Sequence, residues 1–308
     1  MSGILITGAG GLVGSKIVRH LLATQEVPIY AIYRRPPGAI LTSTGRFKQY
    51  ILDLATSSEI ATIIMATKPE LVLHVAAMTN VDACEREREL AYAVNVASTA
   101  TIARACAISG ARLVYVSTDY VFDGSDEHPG PYAEDAPVHP LGYYGLTKLQ
   151  GEEAVQEYCA GRTSWAICRT AVVYGFAPDV RLNFALWLLS ELRAGHTVRV
   201  VIDQFNTPTI ADHLAEMLIA VGQRGSNGIY HTAGGDYLDR FSFARQLAAA
   251  FALDASLLQP ITTAELRQPA PRPLRSGLLC HRIRMELGIK PLSIQESIAI
   301  LRQQLSTW

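Results

Sequence analysis

Up to about residue 170 the chain alternates short, continuous apolar runs with longer stretches whose apolar positions recur at helical spacing. The runs at 4–7, 29–34, 50–54, 71–76, 113–117 and 165–169 are predicted strands, and the stretches at 11–23, 57–67, 89–109 and 144–158 are predicted helices. Strands that are apolar throughout are buried on both faces. Alternation of such strands with helices therefore predicts an α/β fold, a doubly wound parallel sheet with helices on both sides. Beyond residue 170 the rhythm becomes irregular, with Pro and Gly clusters at 207–209, 234–235 and 269–273. That half reads as a smaller C-terminal substrate lobe at the C-terminal edge of the sheet. The expected division is 1–170 for the sheet domain and 171–308 mainly for the lobe, with some segments returning to the first domain. A last helix at 293–305 carries Ile294, Ile298, Leu301 and Leu305 on one face, a packing stripe.

Composition narrows the classes. Of 308 residues, 49% are hydrophobic and 18% charged, which suits a well-filled core and not a disordered chain. With 27 basic and 28 acidic residues the net charge is -1, and no basic block exceeds the Arg34-Arg35 pair, so neither nucleic acid nor a membrane surface is an expected partner. The five cysteines are scattered without CxxC spacing, and the eight histidines show no ligand pattern, so no metal is expected. His74, inside an apolar strand, reads as a hydrogen-bonded core histidine, and Trp165, Trp187 and Trp308 form no stacking surface. The start MSGILITGAGG has no positive leader, and no run reaches the length of a spanning helix. A soluble, cytoplasmic protein is expected.

The first strand runs into Gly8-Ala9-Gly10-Gly11-Leu12-Val13-Gly14 and then a helix. Glycines at 8, 11 and 14 let the chain turn sharply, approach a pyrophosphate and seat the helix, whose N-terminal amides attract phosphate. Between a strand and a helix this pattern predicts an NAD(P)-binding Rossmann type of fold. About 20 residues further on, where an acid would hold the ribose hydroxyls of NAD, the chain has Arg34 and Arg35. Arginine there suits a 2′-phosphate, so NADP is favoured, with NADPH preferred to NADH. Asp53, after the third strand, is either an acceptor for the adenine amino group or a turn carboxylate.

The segment at 140–153, PLGYYGLTKLQGEE, holds two adjacent tyrosines before a lysine. Residues four apart share a helix face and residues five apart do not, so Tyr144, not Tyr143, aligns with Lys148. A phenol has a pKa of about 10 and needs a neighbouring cation to work near neutrality. Lys148 is expected to lower that value and to hold the nicotinamide ribose. The strand at 113–117 ends in Ser117-Thr118-Asp119-Tyr120, at the sheet edge where such folds bind ligands. Thr118 is the expected donor to a substrate carbonyl, and Ser117, on the opposite face, is expected to be structural.

Together with Leu73-His74-Val75-Ala76-Ala77 and Val94-Asn95-Val96, these motifs resemble the extended short-chain dehydrogenase/reductase family over nearly the whole chain. More narrowly, Thr79-Asn80-Val81-Asp82-Ala83-Cys84-Glu85, Asp203-Gln204-Phe205-Asn206-Thr207-Pro208-Thr209, Gly228-Ile229-Tyr230-His231 and Arg272-Pro273 with Ser276 and Leu278 are similar to the dTDP-4-dehydrorhamnose reductase branch. The resemblance implies NAD(P)H-dependent reduction of the 4-keto group of a nucleotide-linked 6-deoxysugar, and homodimers are typical of the family. It implies Thr118, Tyr144 and Lys148 as the catalytic group. Gly8, Gly11, Leu12 and Val13 would surround the pyrophosphate, Asp53 and Leu54 the adenine, and Ala76, Ala77 and Thr79 the rest of the cofactor. Asp119, Tyr120, Asn183 and Arg272 would border the sugar nucleotide. Asn95 matches a family asparagine, or ties buried backbone groups together.

The chain departs from that branch where a Ser-Trp-Val run is usual after Arg169-Thr170; here it reads Ala171-Val172-Val173-Tyr174-Gly175. Asn206 stands where a glycine is typical. A sugar-nucleotide dehydratase or epimerase is one rival, although Tyr120 occupies the place of the second acid in the dehydratases' Thr-Asp-Glu run. A rival of another class is an NADP-binding regulatory subunit. Arg34-Arg35, the 251–263 stretch and Leu287-Gly288-Ile289 resemble the β subunit of methionine adenosyltransferase.

Overall fold

The structure is a computed structural model that describes residues 3–36, 45–56, 58–178, 180 and 182–306. Six strands form in the first half: β1 (Ile4–Thr7), β2 (Ile29–Tyr33), β3 (Phe47–Ile51), β4 (Leu71–His74), β5 (Arg112–Thr118) and β6 (Trp165–Thr170). Gly228–His231 returns from the second half as a seventh. All pair in parallel, in the order Gly228–His231, β6, β5, β4, β1, β2, β3. The order reverses at β1, which opens a crevice at the C-terminal strand ends between β1 and β4.

Period-two alternation sorts the strand residues between two cores. Ile4, Ile6, Leu71, Leu73, Val114 and Ala166 face α1 (Leu12–Thr24) and α8 (Ala211–Arg224). Leu5, Val72, Leu113, Tyr115 and Ile167 face α2 (Glu59–Thr67), α5 (Ser98–Ser109) and α6 (Tyr143–Cys159). Lys16, nearly buried, ties α1 to α8 through Asp212 at 2.9 Å. A third core joins α7 (Phe184–Arg193) and α9 (Arg240–Ala250) to the helix Ile294–Ser306 through Leu188, Leu189, Phe243, Leu247, Ile298 and Leu301. It also covers the parallel pair Val198–Val201 with Leu258–Ile261. All five cysteines are free and buried.

Two elements differ from the sequence expectation. The third strand is Phe47–Ile51 and not 50–54, because it is the outer strand: Lys48 is exposed, Ile51 is 59% exposed, and no continuous apolar run marks it. The helix expected at 89–109 is continuous but carries a π turn, Ala93–Ala97, between α4 (Arg88–Tyr92) and α5. The wider turn places Asn95 under the sheet end, where its side chain bonds both backbone groups of Met78 at 2.8 and 3.2 Å and Thr147 Oγ1 at 3.0 Å. Ser57, the expected start of the second helix, and Trp308 lie outside the described residues.

Helix α6 is seated unusually close to the sheet. A side-chain carbon at Gly151 would overlap the Tyr115 hydroxyl, and one at Gly145 would overlap the carbonyl of Tyr120. Glycine is thus required at both positions by space, not by backbone angle. Gly151→Ala should lower stability by ~1–3 kcal/mol, as overpacking typically does, and thermal unfolding will show it; an unchanged Tm would contradict this seating.

Candidate active site

At the end of β5, Thr118 caps a 3-10 turn, Asp119–Val121, its Oγ1 accepting from the Tyr120 N–H at 3.2 Å. The Thr118 hydroxyl donates to Asp119 Oδ1 at 3.1 Å and lies near enough to the Tyr144 phenol to act on its titration. Ser117 points the other way, with its Oγ buried and unpartnered among the described residues. The N-terminus of α6 has no side-chain cap of its own. Glu85 of α3 (Val81–Arg86) supplies one, accepting from the Tyr143 N–H at 2.5 Å, while Arg88 holds Glu85 at 2.9 Å and covers the Tyr143 ring. Tyr143 is spent on that cap region. Tyr144 turns inward, 9% exposed, edge-on to Tyr120 with centroids 5.6 Å apart.

Burial dominates the site's electrostatics. It pushes the Tyr144 phenol well above its ordinary value, and the neighbouring Thr118 hydroxyl opposes it. The net shift is thus upward and not the lowering expected from Lys148, whose ammonium rests 4.1 Å from the centroid of the Tyr115 ring. Burial likewise lowers Lys148 to about 7, against the attraction of Glu152. Asp119 is raised to about 6 by burial, opposed by hydrogen bonds from Ser276 and Thr118. Its Oδ2 accepts from Ser276 Oγ at 2.6 Å, so Asp119 faces a protein hydroxyl and ties the 272–280 segment to the sheet end.

The loop between β1 and α1 has the shape a pyrophosphate needs. Gly8 takes φ +69° against Ala76, Gly14 lets α1 close on the Gly8 carbonyl, and Gly10 and Gly11 leave an exposed edge. Leu12 and Val13 begin α1, half-buried. Across the crevice, Ala76 and Ala77 are half-buried and Thr79 is exposed. Their strand end is fixed from below: Thr99 Oγ1 donates to the Asn95 carbonyl at 2.8 Å and stands 2.9 Å from His74 Nε2, while Thr7 Oγ1 lies 2.7 Å from Nδ1 and accepts from the Ala76 N–H. With the Thr99 proton spent, His74 carries its own on Nε2 and accepts from Thr7 at Nδ1. It is the core histidine expected. Arg34 and Arg35 are exposed just past β2, without an ion pair among the described residues, and fit a 2′-phosphate. Asp53 is exposed and closes a turn on the Ala55 N–H at 2.9 Å; Leu54 beside it is half-buried.

The residues expected at the sugar nucleotide are held unequally. Arg272 bonds Asp82 Oδ2 at 2.9 Å and the Ala270 carbonyl at 2.7 Å, and Tyr120 is half-buried beside Tyr144. The Asn183 amide serves as a cap: Oδ1 accepts from the Leu186 N–H and Nδ2 donates to the Gly175 carbonyl. Sequence reading missed Arg240. It interacts with Asp119 and Tyr120, lies over the Phe184 ring, and has a buried Nε with no partner among the described residues. Nothing in its local sequence sets it apart from a surface arginine.

The model of one family, described as RmlD substrate binding domain, matches residues 1–306. The chain belongs to this family. The RmlD-family chain is 36% identical over 295 residues to the dTDP-4-dehydrorhamnose reductase of Mycobacterium tuberculosis, covering 94% of this chain and 88% of that one. It is 32% identical over 291 residues to methionine adenosyltransferase 2 subunit beta of Xenopus laevis, covering 92% and 82%. Its fold matches the crystal structure of dTDP-4-dehydrorhamnose reductase from Bacillus anthracis in complex with NADP with a TM-score of 0.85, 26% identity and coverage of 98% and 99%. Among the described residues of the RmlD-family chain, no helix is long and apolar enough to cross a membrane.

The displaced pKa of Lys148 has a consequence for stability. Below about 7 the amine is charged folded and unfolded, so its burial opposes folding in full; between about 7 and 10.5 only the folded state sheds the proton, and the penalty is relieved. Lys148→Met should therefore exceed the wild type in stability most clearly below pH 7, with the gap narrowing towards pH 10.5. Chemical denaturation of both across that range checks this, and a gap independent of pH would contradict it.

Proposed function

We propose that the chain is an NADPH-dependent reductase of a nucleotide-linked 4-keto-6-deoxysugar, with dTDP-4-dehydrorhamnose as substrate and dTDP-rhamnose as product. The observation that carries this reading is the buried cluster of Thr118, at the C-terminal end of β5, with Tyr144 and Lys148 of the adjoining helix α6. Bound NADPH would supply a hydride to the ketone carbon. The loop from Gly8 to Val13 would hold its pyrophosphate, Arg34 and Arg35 its 2′-phosphate, and Lys148 its nicotinamide ribose. The NADP complex of the Bacillus anthracis relative supports this cofactor.

The remaining chemistry belongs to the side chains. With substrate bound, Thr118 would turn its one hydroxyl proton from Asp119 to the ketone oxygen and fix it. Tyr144 delivers its proton to the same oxygen as negative charge builds there, and its raised pKa keeps that proton available at neutral pH. Donors already in place at a developing oxyanion need no reorganisation during reaction. Lys148, as an ammonium, favours the phenolate left behind.

Similarity to methionine adenosyltransferase 2 subunit beta supports a second reading, an NADP-binding regulatory subunit that turns over no sugar. The two part on turnover. Wild-type protein should oxidise NADPH when given a 4-keto-6-deoxy nucleotide sugar, and Tyr144→Phe should keep cofactor affinity while slowing reduction about 10²–10⁴-fold. Tight NADPH binding with no oxidation by the wild type would move the reading to the regulatory subunit, and full activity in the variant would remove Tyr144 as proton donor. In a separate titration, replacing Arg34 and Arg35 by alanine should weaken NADPH far more than NADH; equal losses would contradict the 2′-phosphate assignment.

A further inference from the structure

Tyr144, Lys148 and Glu152 recur at four-residue spacing, one buried stripe of α6. Glu152, at the far end of the stripe, meets Arg169 of β6 in a two-pronged pair: Nε to Oε1 at 2.9 Å and Nη2 to Oε2 at 2.7 Å, with side chains 3% and 2% exposed. A pair so dehydrated adds little that a well-packed apolar pair would not, so stability alone gives no reason for it. The third guanidinium nitrogen, Nη1, is buried and unpartnered among the described residues. So are Ser117 Oγ and His231 Nε2, which share its row across three neighbouring strands. Glu152 is therefore the counter-charge of Arg169, and it stands one helical turn from Lys148.

The other titratable groups facing Lys148 are neutral near pH 7. Burial holds His74 of β4 down to about 3 and Cys84 of α3 up to about 11, and it raises the phenols of Tyr115 on β5 and Tyr144 on α6. Among these neighbours Glu152 is the one anion. Resting on the reductase reading of Lys148 above, we propose that Glu152, clamped by Arg169, is a positioning residue that keeps Lys148 in its ammonium form, with Arg169 setting how much of the Glu152 charge Lys148 receives. The two residues then act on Lys148 with opposite sign. Removing Glu152 withdraws an attraction and favours the free amine, whereas removing Arg169 withdraws a repulsion and leaves the carboxylate to Lys148.

The experiment compares wild type with Glu152→Gln, Arg169→Gln and the double variant. It reads the pH dependence of sugar reduction and, independently of turnover, the titration of Lys148 by NMR of its labelled side-chain nitrogen, with Lys148→Met to assign the signal. Expected is a downward move of the Lys148 titration and of the alkaline limb of activity by about one pH unit or more in Glu152→Gln, an upward move in Arg169→Gln, and a position between them in the double variant. Shifts of the same sign, or unshifted profiles of lower amplitude, would overturn the proposal and leave the pair structural. Should a single variant fail to fold, Glu152→Asp keeps the charge but withdraws it and must shift the titration downwards; no shift there also overturns the proposal. Opposite shifts of the titration in a protein whose wild type reduces no sugar would sink the reductase reading and leave the control of Lys148 standing.

Discussion

The close seating of α6 on the end of β5 is the constraint from which the site follows. Glycines at 145 and 151 let the helix press on the Tyr120 carbonyl and the Tyr115 hydroxyl, and Glu85 fixes its first turn from α3. In that seat the phenol of Tyr144 reaches Thr118, and Lys148 lies on the face of Tyr115. A helix held farther away would leave the tyrosine and threonine on separate elements with no shared oxygen to serve.

Close seating also excludes water, and the site's electrostatics come from that exclusion. Burial shifts the Tyr144 phenol, the Lys148 ammonium and, separately, the Asp119 carboxyl toward their neutral forms, and the hydroxyls of Thr118 and Ser276 pull the phenol and the carboxyl part of the way back. The string from Thr7 through His74 and Thr99 to Asn95 does the corresponding work under the crevice, where every donor is matched to an acceptor and the strand ends are held without mobile charge.

What the sequence made legible were features with a local period. The apolar runs of β1, β4 and β5, the glycine loop, and the four-residue spacing of Tyr144 and Lys148 can be read from neighbouring letters alone. β3 could not be read that way, because an outer strand with exposed Lys48 and Ile51 has no apolar run to find. The π turn at Ala93–Ala97 was hidden because adding a residue to one turn leaves composition unchanged. The partners that fix the site were also hidden. Glu85 to Tyr143, Asp82 to Arg272, Asp119 to Ser276 and Glu152 to Arg169 each join separate elements, and no periodicity announces them. Asn183, expected beside the sugar, also caps α7, a use of its amide that sequence alone does not show.

The most direct measurement of the central claim is a crystal structure of the protein with NADP and a dTDP-linked 6-deoxysugar bound together. The account requires the sugar's oxygen at carbon 4 to lie within hydrogen-bond reach, about 2.6–3.2 Å, of both the Tyr144 hydroxyl and Thr118 Oγ1, over an α6 unchanged in its seat. A sugar bound elsewhere, or an oxygen at carbon 4 that meets neither hydroxyl, would contradict it.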